Sequence, residues 1–395
     1  MAPSSVDRPG PLTVTLVGGS SLAENARIAG LLSGRPPHET PRTVDEPQAD
    51  SAELALEVFH DLLAAVDAGA GGHTVVALDP EADVAEFALV LEHLAESQRP
   101  VAPIVILDVV AVTSVDEIGR LLFGRSRRGG PVIDDIGVDD TGVGDVGDSG
   151  RLASRLEFSS IVALTDLPAP ADPTDPAGRL ARIHRRAPTV PPASARRLPP
   201  DDIRQVGDLL ARLAPASTVV DERALRLLNG RRSTPGRGLA HRLGSSMGWQ
   251  LQLGDHRPRD LSGNVVDTYV FTDPRPFHPG RLLDAVTDGL VPSRVGRILR
   301  SRGFVRLATR PGAVGSWATA GDVLDLDPAG LTGWDVDSPL GQEIVFFGLG
   351  LDADALDRTL SSCLLTPAEL LGGPMTWATY PDPFPAWPMP HHHHG

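Results

Sequence analysis

The chain has 395 residues, 41% of them apolar, with 51 acidic residues against 36 basic ones and a formal charge of -15. That length exceeds one compact core and fits two domains, while the acidic balance disfavours non-specific attachment to a nucleic-acid backbone, so no free DNA binding is expected. No apolar run approaches the roughly 18 residues of a membrane span, and the first residues lack a basic region leading into an apolar core, so a cytoplasmic protein with no membrane partner is expected.

Every basic residue is Arg, and there is no Lys. No lysine can therefore serve as a Schiff base, a general base or a phosphate ligand. The single cysteine, Cys363, excludes an intrachain disulfide and a multi-thiolate zinc site, and its place in an apolar helical run predicts a buried, unreactive side chain.

Residues 12 to about 123 alternate apolar runs with amphipathic ones. "LTVTLV", "HTVVALD" and "APIVILDVV" read as buried parallel strands, and "LAENARIAGLL", "AELALEVFHDLLAAV", "VAEFALVLEHLAE" and "SVDEIGRLLF" as crossover helices. Such a repeat implies an α/β domain whose parallel sheet is covered on both faces. The Asp-rich stretch 128–150 lacks the oxygen spacing of a calcium loop and reads as a mobile, solvated loop. "FSSIVALTDL" adds a strand, and a Pro, Ala and Arg-rich segment closes this domain near Pro200.

Two helices, "PDDIRQVGDLLARLA" and "DERALRLLNG", belong to a connecting region, residues 201–263. Strands "VDTYVFT", "GRILRSRGFVRLATR", "GSWATAGDVLDL" and "EIVFFGLG" follow, with helices at "HPGRLLDAVTDGL", "DADALDRTLSSCLL" and "TPAELL". Strands with helices gathered at the ends indicate a smaller α+β domain over residues 264–372, followed by a tail, residues 373–395.

The turn after the first strand has the frame of a phosphate loop, G-x-x-x-x-G-K followed by Ser or Thr. Gly18 takes the first glycine, with Gly19 beside it, but Ala23 stands at the second glycine, Glu24 at the lysine and Asn25 at the hydroxyl. A carboxylate in place of the ammonium turns attraction to phosphate into repulsion, so a plain strand-turn-helix unit is the expected reading, with a lone anion at the helix N-terminus as the remaining use. "GSSMG", Gly244 to Gly248, matches a nucleophile elbow with Ser246, Asp267 and His278 in acceptable order, but the charged, glycine-broken residues before it do not form a buried strand, and a surface turn is expected. His391, His392, His393 and His394 either hold zinc weakly on a flexible tail or are an affinity tag.

On a strand, Arg300, Arg302, Arg306 and Arg310 share parity, with Phe304 among them. Such a stripe is a candidate phosphate or RNA contact, against the blander reading of an exposed sheet face partly neutralised by the Asp-rich stretch.

"DPRPFHPGRL", "RSRGFVRLATRPG" with Trp317, "GQEIVFFGLGLD", "CLLTPAEL" and "MTWATYPDPFPAW" occur in order and resemble the carboxy-terminal domain of the CobW family of P-loop GTPases, which act as metal chaperones or insertases. The resemblance implies a P-loop-like domain over residues 11–200. There "IVALTDL" stands at the guanine-reading Asn-Lys-x-Asp, of which Asp166 remains while Ala163 and Leu164 replace Asn and Lys, and "ALDPEADVAEFALVL" stands at the Glu-Thr-Ser-Gly segment. Gly18, Gly19 and Asp166 would then be a vestigial nucleotide site. The closest resemblance within the family is to a degenerate actinobacterial branch that includes a recruitment factor for a ribosome hibernation factor in zinc starvation. It implies a non-catalytic adaptor with a protein or ribosome partner and no cofactor beyond weak zinc. A GTP-dependent zinc or cobalt chaperone, its lost thiolates replaced by the His tail, is the alternative, and a nucleotide or small-molecule sensor without hydrolysis a third.

Overall fold

The computed structural model describes residues 11–33, 42–44, 50–69, 71–97, 104–124, 132–133, 143–167, 200–228, 238–254, 265–332 and 338–387. Cα packing divides the chain into two compact units, one drawn from residues 1–118, 154–206 and 213–247 and the other from residues 119–153, 207–212 and 248–395.

The first unit is built on a parallel sheet of six strands: β1 (Leu12–Gly19), β2 (Arg42–Thr43), β3 (Gly72–Ala77), β4 (Ile104–Thr113), β6 (Ile161–Leu164) and β7 (Thr218–Asp221), in the order β2-β3-β1-β4-β6-β7. All eight residues of β1 are buried, as an apolar run in a doubly covered sheet requires. On one face Leu12, Val14 and Leu16 pack with α2 (Ser51–Asp67), α3 (Val84–Ser97) and the short α8 (Leu239–Ser245), through Leu54, Val58, Phe87, Leu91 and Leu243. On the other, Val17, Val75 and Val110 pack with α1 (Leu22–Ser33) and α7 (Glu222–Leu228), through Ile28, Leu32 and Leu225. Each crossover helix lies where the apolar spacing puts it. Buried Glu92 of α3 accepts from the amides of Ala240 and His241 at 3.1 and 3.0 Å, supplying acceptors to N–H groups at the start of α8 that lack partners within the helix.

The second unit carries a sheet in the order β5-β11-β10-β9-β12-β8. Its strands are β5 (Val132–Ile133), β8 (Val266–Asp273), β9 (Arg297–Val305), β10 (Ala313–Ala320), β11 (Val323–Thr332) and β12 (Gln342–Leu349), antiparallel except for β5. The segment read as one strand, "GSWATAGDVLDL", is a hairpin, turned at Gly321 with φ 60°. The stretch 128–150 is not simply a loop: Val132 and Ile133 pair with Val323 and Leu324, and helix α5 (Val143–Glu157) begins inside it. Among its described side chains the buried apolar ones are Leu152, Ala153 and Leu156, beyond the Asp-rich part that governed the sequence reading. Residues 119–153, grouped by sequence with the first domain, thus supply a strand to the second sheet.

One face of this sheet forms the unit's core, where Trp317, Phe346, Ile344 and Val305 meet α10 (Pro279–Asp284), its π-helical continuation Ala285–Gly289 and α12 (Ala353–Cys363). Trp317 Nε1 donates to Ser301 Oγ at 2.8 Å, and Ser301 in turn bonds Thr319 at 2.7 Å, so the buried polar atoms of this face satisfy one another. A Cβ on Gly303 would lie 1.9 Å from the Glu343 carbonyl oxygen, so the close approach of β9 and β12 requires glycine there.

The motifs "HPGR" and "TPAEL" meet in one ion pair. Arg281 of α10 forks onto Glu369 of α13 (Pro367–Trp377), with both N–O distances 2.9 Å, and donates to the Leu364 carbonyl at 2.9 Å. Glu369 also closes a capping box with Thr366. The Arg281 fork, followed by the Thr366 bonds, holds the Glu369 carboxyl down to about 2 from an ordinary value of 4.5. A depressed carboxylate stabilises the fold fully above its unfolded value and loses that contribution as pH falls through the folded one. Thermal melts should therefore show the pair's contribution intact above about pH 4.5 and fading towards pH 2. Glu369→Gln should lower stability by about 1–2 kcal/mol at neutral pH and flatten that acid limb. An unchanged limb would mean that the pair does not hold the two helices.

Candidate functional site

A doubly wound sheet leaves a crevice at the carboxyl ends of its strands where the strand order reverses. Here the reversal lies between β1 and β4, because the chain passes from β1 to β3 on one side and then to β4 on the other. Gly18, Gly19 and Asp166 all belong to this end of the sheet.

The loop after β1 is short. β1 runs through Gly19 and α1 starts at Leu22, so only Ser20 and Ser21 lie between them, and the first helical bond joins Asn25 N to Ser21 O at 2.9 Å. Ala23, Glu24 and Asn25, which stand at the second glycine, lysine and hydroxyl of a phosphate loop, are already helical. Asn25 is completely buried, and its amide nitrogen donates to the Leu78 carbonyl at 2.9 Å and to the Gly19 carbonyl at 3.3 Å. The side chain therefore joins the end of β1 to the residue after β3.

The two glycines are explained by close packing. A Cβ on Gly18 would lie 2.6 Å from Val84 Cγ2, and one on Gly19 would lie 2.6 Å from Asn25 Oδ1 and 2.7 Å from the Val112 carbonyl. Glu24 points to its neighbour Arg27 at 3.3 Å, and Arg27 reaches Glu222 at 3.0 Å. With side chains more than a quarter exposed, these pairs contribute little to stability, but they fix which way Glu24 faces.

Asp166 has a local role as well. Its carboxylate accepts from the amides of Val115 at 2.9 Å and Asp116 at 3.3 Å, the first residues of α4 (Val115–Leu121). A carboxylate at a helix N-terminus satisfies otherwise orphaned donors and opposes the helix dipole. In the "ALDPEAD" segment Asp79 accepts from Glu81 N at 2.8 Å, and Asp83 accepts from Ala85 N and Glu86 N at 2.8 and 3.0 Å to open α3. Burial, with Asp50 and Asp83 nearby, raises the pKa of Glu86 in the same turn.

The remaining sequence candidates separate. Ser246 follows a helix, not a strand, and donates to the Leu243 carbonyl at 3.3 Å, as a surface turn does. Asp267 accepts from Leu351 N at 3.0 Å. His278 caps α10 through the Arg281 amide at 3.4 Å and stacks on Tyr380 at 4.9 Å, and burial with the Arg281 charge lowers its pKa. Cys363 is 1% exposed, and burial pushes its thiol up to about 11. His391, His392, His393 and His394 lie outside the described residues. Among the described residues no group of three or more His, Cys, Asp or Glu is placed to hold a metal ion.

The arginine stripe requires a correction. Arg300 is 1% exposed and donates to the Thr319 carbonyl at 3.2 Å. Arg302 and Phe304 are covered by Trp249 of α9 (Gly248–Gly254), at 5.7 Å and 5.5 Å respectively. Arg306 lies beyond the end of β9, and burial lowers its pKa. Arg310 pairs with Asp382 at 2.9 Å and sits over the Trp387 ring at 4.3 Å, so the described part of the expected tail, through residue 387, packs against this unit. Parity correctly puts Arg300, Arg302 and Phe304 on one face, but that face is not an open cationic surface. No sequence pattern linked Trp249 to it.

Residues 266–364 match the family model for the cobalamin synthesis protein cobW C-terminal domain. A curated relative, zinc-regulated GTPase metalloprotein activator 1 of Dictyostelium discoideum, is 31% identical over 159 residues, covering 34% of this chain and 33% of that protein. The chain thus spans about a third of the length of this relative. The crystal structure of Zn(II)-bound YjiA GTPase from E. coli covers 90% of this chain and 100% of its own at 13% identity and a TM-score of 0.32. A triple mutant of that GTPase gives 12% identity and a TM-score of 0.33 over the same shares.

If Asp166 acts only as a cap, Asp166→Ala should destabilise the first unit by about 1–2 kcal/mol in urea denaturation and leave any guanine-nucleotide affinity unchanged. A selective loss of GDP or GTP binding with unaltered stability would make it a base-reading residue.

Proposed function

We propose that this chain is a non-hydrolysing relative of the CobW-type GTPases that works as a protein adaptor in zinc homeostasis or the response to zinc starvation. The observation that carries the reading is the loop after β1, where Asn25 ties Gly19 to Leu78 and Glu24 takes the position of the phosphate lysine. The side chains present do not fit a magnesium-bound nucleoside triphosphate. The cradle of free backbone amides is shortened to two residues, its glycines are packed against Val84 and Val112, and the magnesium hydroxyl is replaced by a buried amide. The match over residues 266–364 and the zinc-regulated relative support the zinc context.

An adaptor acts through a partner, and the family resemblance points to a protein partner, a ribosome hibernation factor being the member to try first. With Arg300 buried, the arginine stripe no longer serves as the contact surface. The second reading, a GTP-binding metallochaperone for zinc or cobalt, is favoured by the relative's name as a metalloprotein activator.

Isothermal titration of the full chain with GTP, GDP and zinc separates the two readings. The adaptor reading expects no saturable GTP heat and no turnover. Glu24→Lys should stay inactive as well, because the magnesium ligand and guanine-reading residues are still missing; measurable GTPase activity in that variant would defeat the adaptor reading. Sedimentation with ribosomes through a sucrose cushion, with and without zinc chelation, tests the partner. Salt-sensitive co-sedimentation is the expected result, and protein that stays in the supernatant throughout removes the ribosome from the proposal.

A further inference from the structure

β8, Val266–Asp273, is the last strand of the second sheet, paired with β12 in an unbroken register and with no further strand among the described residues. Every second N–H and C=O of such a strand points away from the sheet, ready to pair with another chain. Edges in folded proteins are commonly blunted by Pro, Lys, a bulge or a short length. β8 has no Pro, no Lys and no bulge, and its 8 residues exceed the usual strand of about five or six. Its Thr, Tyr, Val and Phe are residues that favour strands. Asp267 through Val270 stay part exposed and Thr272 is exposed, whereas Ile344 through Gly348 of neighbouring β12 are all buried.

Asp267 and Asp273 would keep another strand away if their charges were free, but both are answered within the chain. Arg275 forks onto Asp273 at 2.9 and 2.8 Å, and that fork lowers the pKa of the carboxyl. Asp267 accepts from Leu351 N at 3.0 Å, with the Arg212 charge close by.

The residues from Asp267 to Asp273 read Asp-Thr-Tyr-Val-Phe-Thr-Asp, the same in chemical class from either end. A two-fold axis at Val270 runs the strand antiparallel to its copy and sets Val270 against Val270, Tyr269 against Phe271 and Thr268 against Thr272. Aromatic, β-branched and Thr pairs are those that stabilise neighbouring strands. Each end brings Asp267 of one copy to Asp273 of the other, and each carboxylate arrives with its own arginine, Arg212 or Arg275, which offsets the facing charges. An unrelated extended segment would use the same backbone groups, but it gives no reason for side chains that repeat about a central residue. The symmetry of the strand selects a second copy.

We propose that β8 is a dimerisation edge, on which a second copy of this chain pairs its own β8 antiparallel about Val270 and continues the sheet from one copy into the other. The pairing involves neither the β1 loop nor the adaptor reading.

Sedimentation equilibrium of the full chain, at concentrations up to about 100 µM, should give a reversible monomer–dimer equilibrium, because one strand pair is a small interface and binds weakly. Amide hydrogen exchange over residues 266–273 should slow as the concentration rises. Val270→Lys and Val270→Glu each place like charges face to face at the axis, and each should weaken association at least tenfold while melting within a few degrees of the parent. Mixed in equal amounts, the two variants should associate again, because opposite charges then meet at the axis. A monomer at every concentration overturns the proposal and leaves the edge to an extended segment of another protein. A dimer whose exchange at residues 266–273 is insensitive to concentration also overturns it, and this measurement on the unmodified chain remains decisive if a variant does not fold. Unaltered association of folded Val270→Lys places the contact elsewhere, and failure of the folded variants to associate when mixed excludes the axis at Val270; either result overturns the proposal.

Discussion

The buried amide of Asn25 is the contact on which the first unit's working end depends. A central strand enclosed on both faces must deliver its carboxyl end to a crevice, and that crevice is polar because backbone groups end there. In this chain the Asn25 side chain, in the first turn of α1, satisfies two of those groups, the carbonyls of Gly19 and Leu78. The short loop, the packing that demands glycine at Gly18 and Gly19, and the outward course of Glu24 all accompany this closure. Asp166 belongs to the same economy of backbone satisfaction, since it caps α4.

The second unit relies on charge in a different way. Its arginines are spent on internal geometry: Arg281 forks onto Glu369, Arg310 binds Asp382 and stacks on Trp387, and Arg300 reaches the Thr319 carbonyl. A guanidinium suits these places because its planar fork satisfies carboxylates and carbonyls together and stacks on rings. A chain whose basic residues are all Arg has many such side chains to place. The motifs in which the family resemblance was seen, "HPGR", "TPAEL" and "YPDPFPAW", are accordingly the contacts that dock helices and the described C-terminal segment onto the sheet. They speak for a fold, and the functional reading rests on the first unit's loop.

Much of the architecture was legible in the residues. Apolar runs such as "LTVTLV" became strands buried on both sides, and amphipathic runs such as "AELALEVFHDLLAAV" became the helices that cover them. Where the reading of an element failed, a local composition had been taken for a conformation. The Asp-rich stretch 128–150 concealed the start of α5 and a strand of two residues, too short for any period to register.

The sequence by itself determined the periodicities, the absence of lysine and the loss of the phosphate-loop residues at Ala23, Glu24 and Asn25, because each is a property of residue identity and spacing. Parity also determined that Arg300, Arg302 and Phe304 share a face. Only the tertiary structure decided that this face lies beneath a helix, since alternation along a strand says which side chains point together and nothing about what distant segment covers them. The same limit applies at the crevice: the exchange of a hydroxyl for Asn25 could be read from the chain, but its bond to Leu78, fifty-three residues away, exists only once β1 and β3 lie side by side.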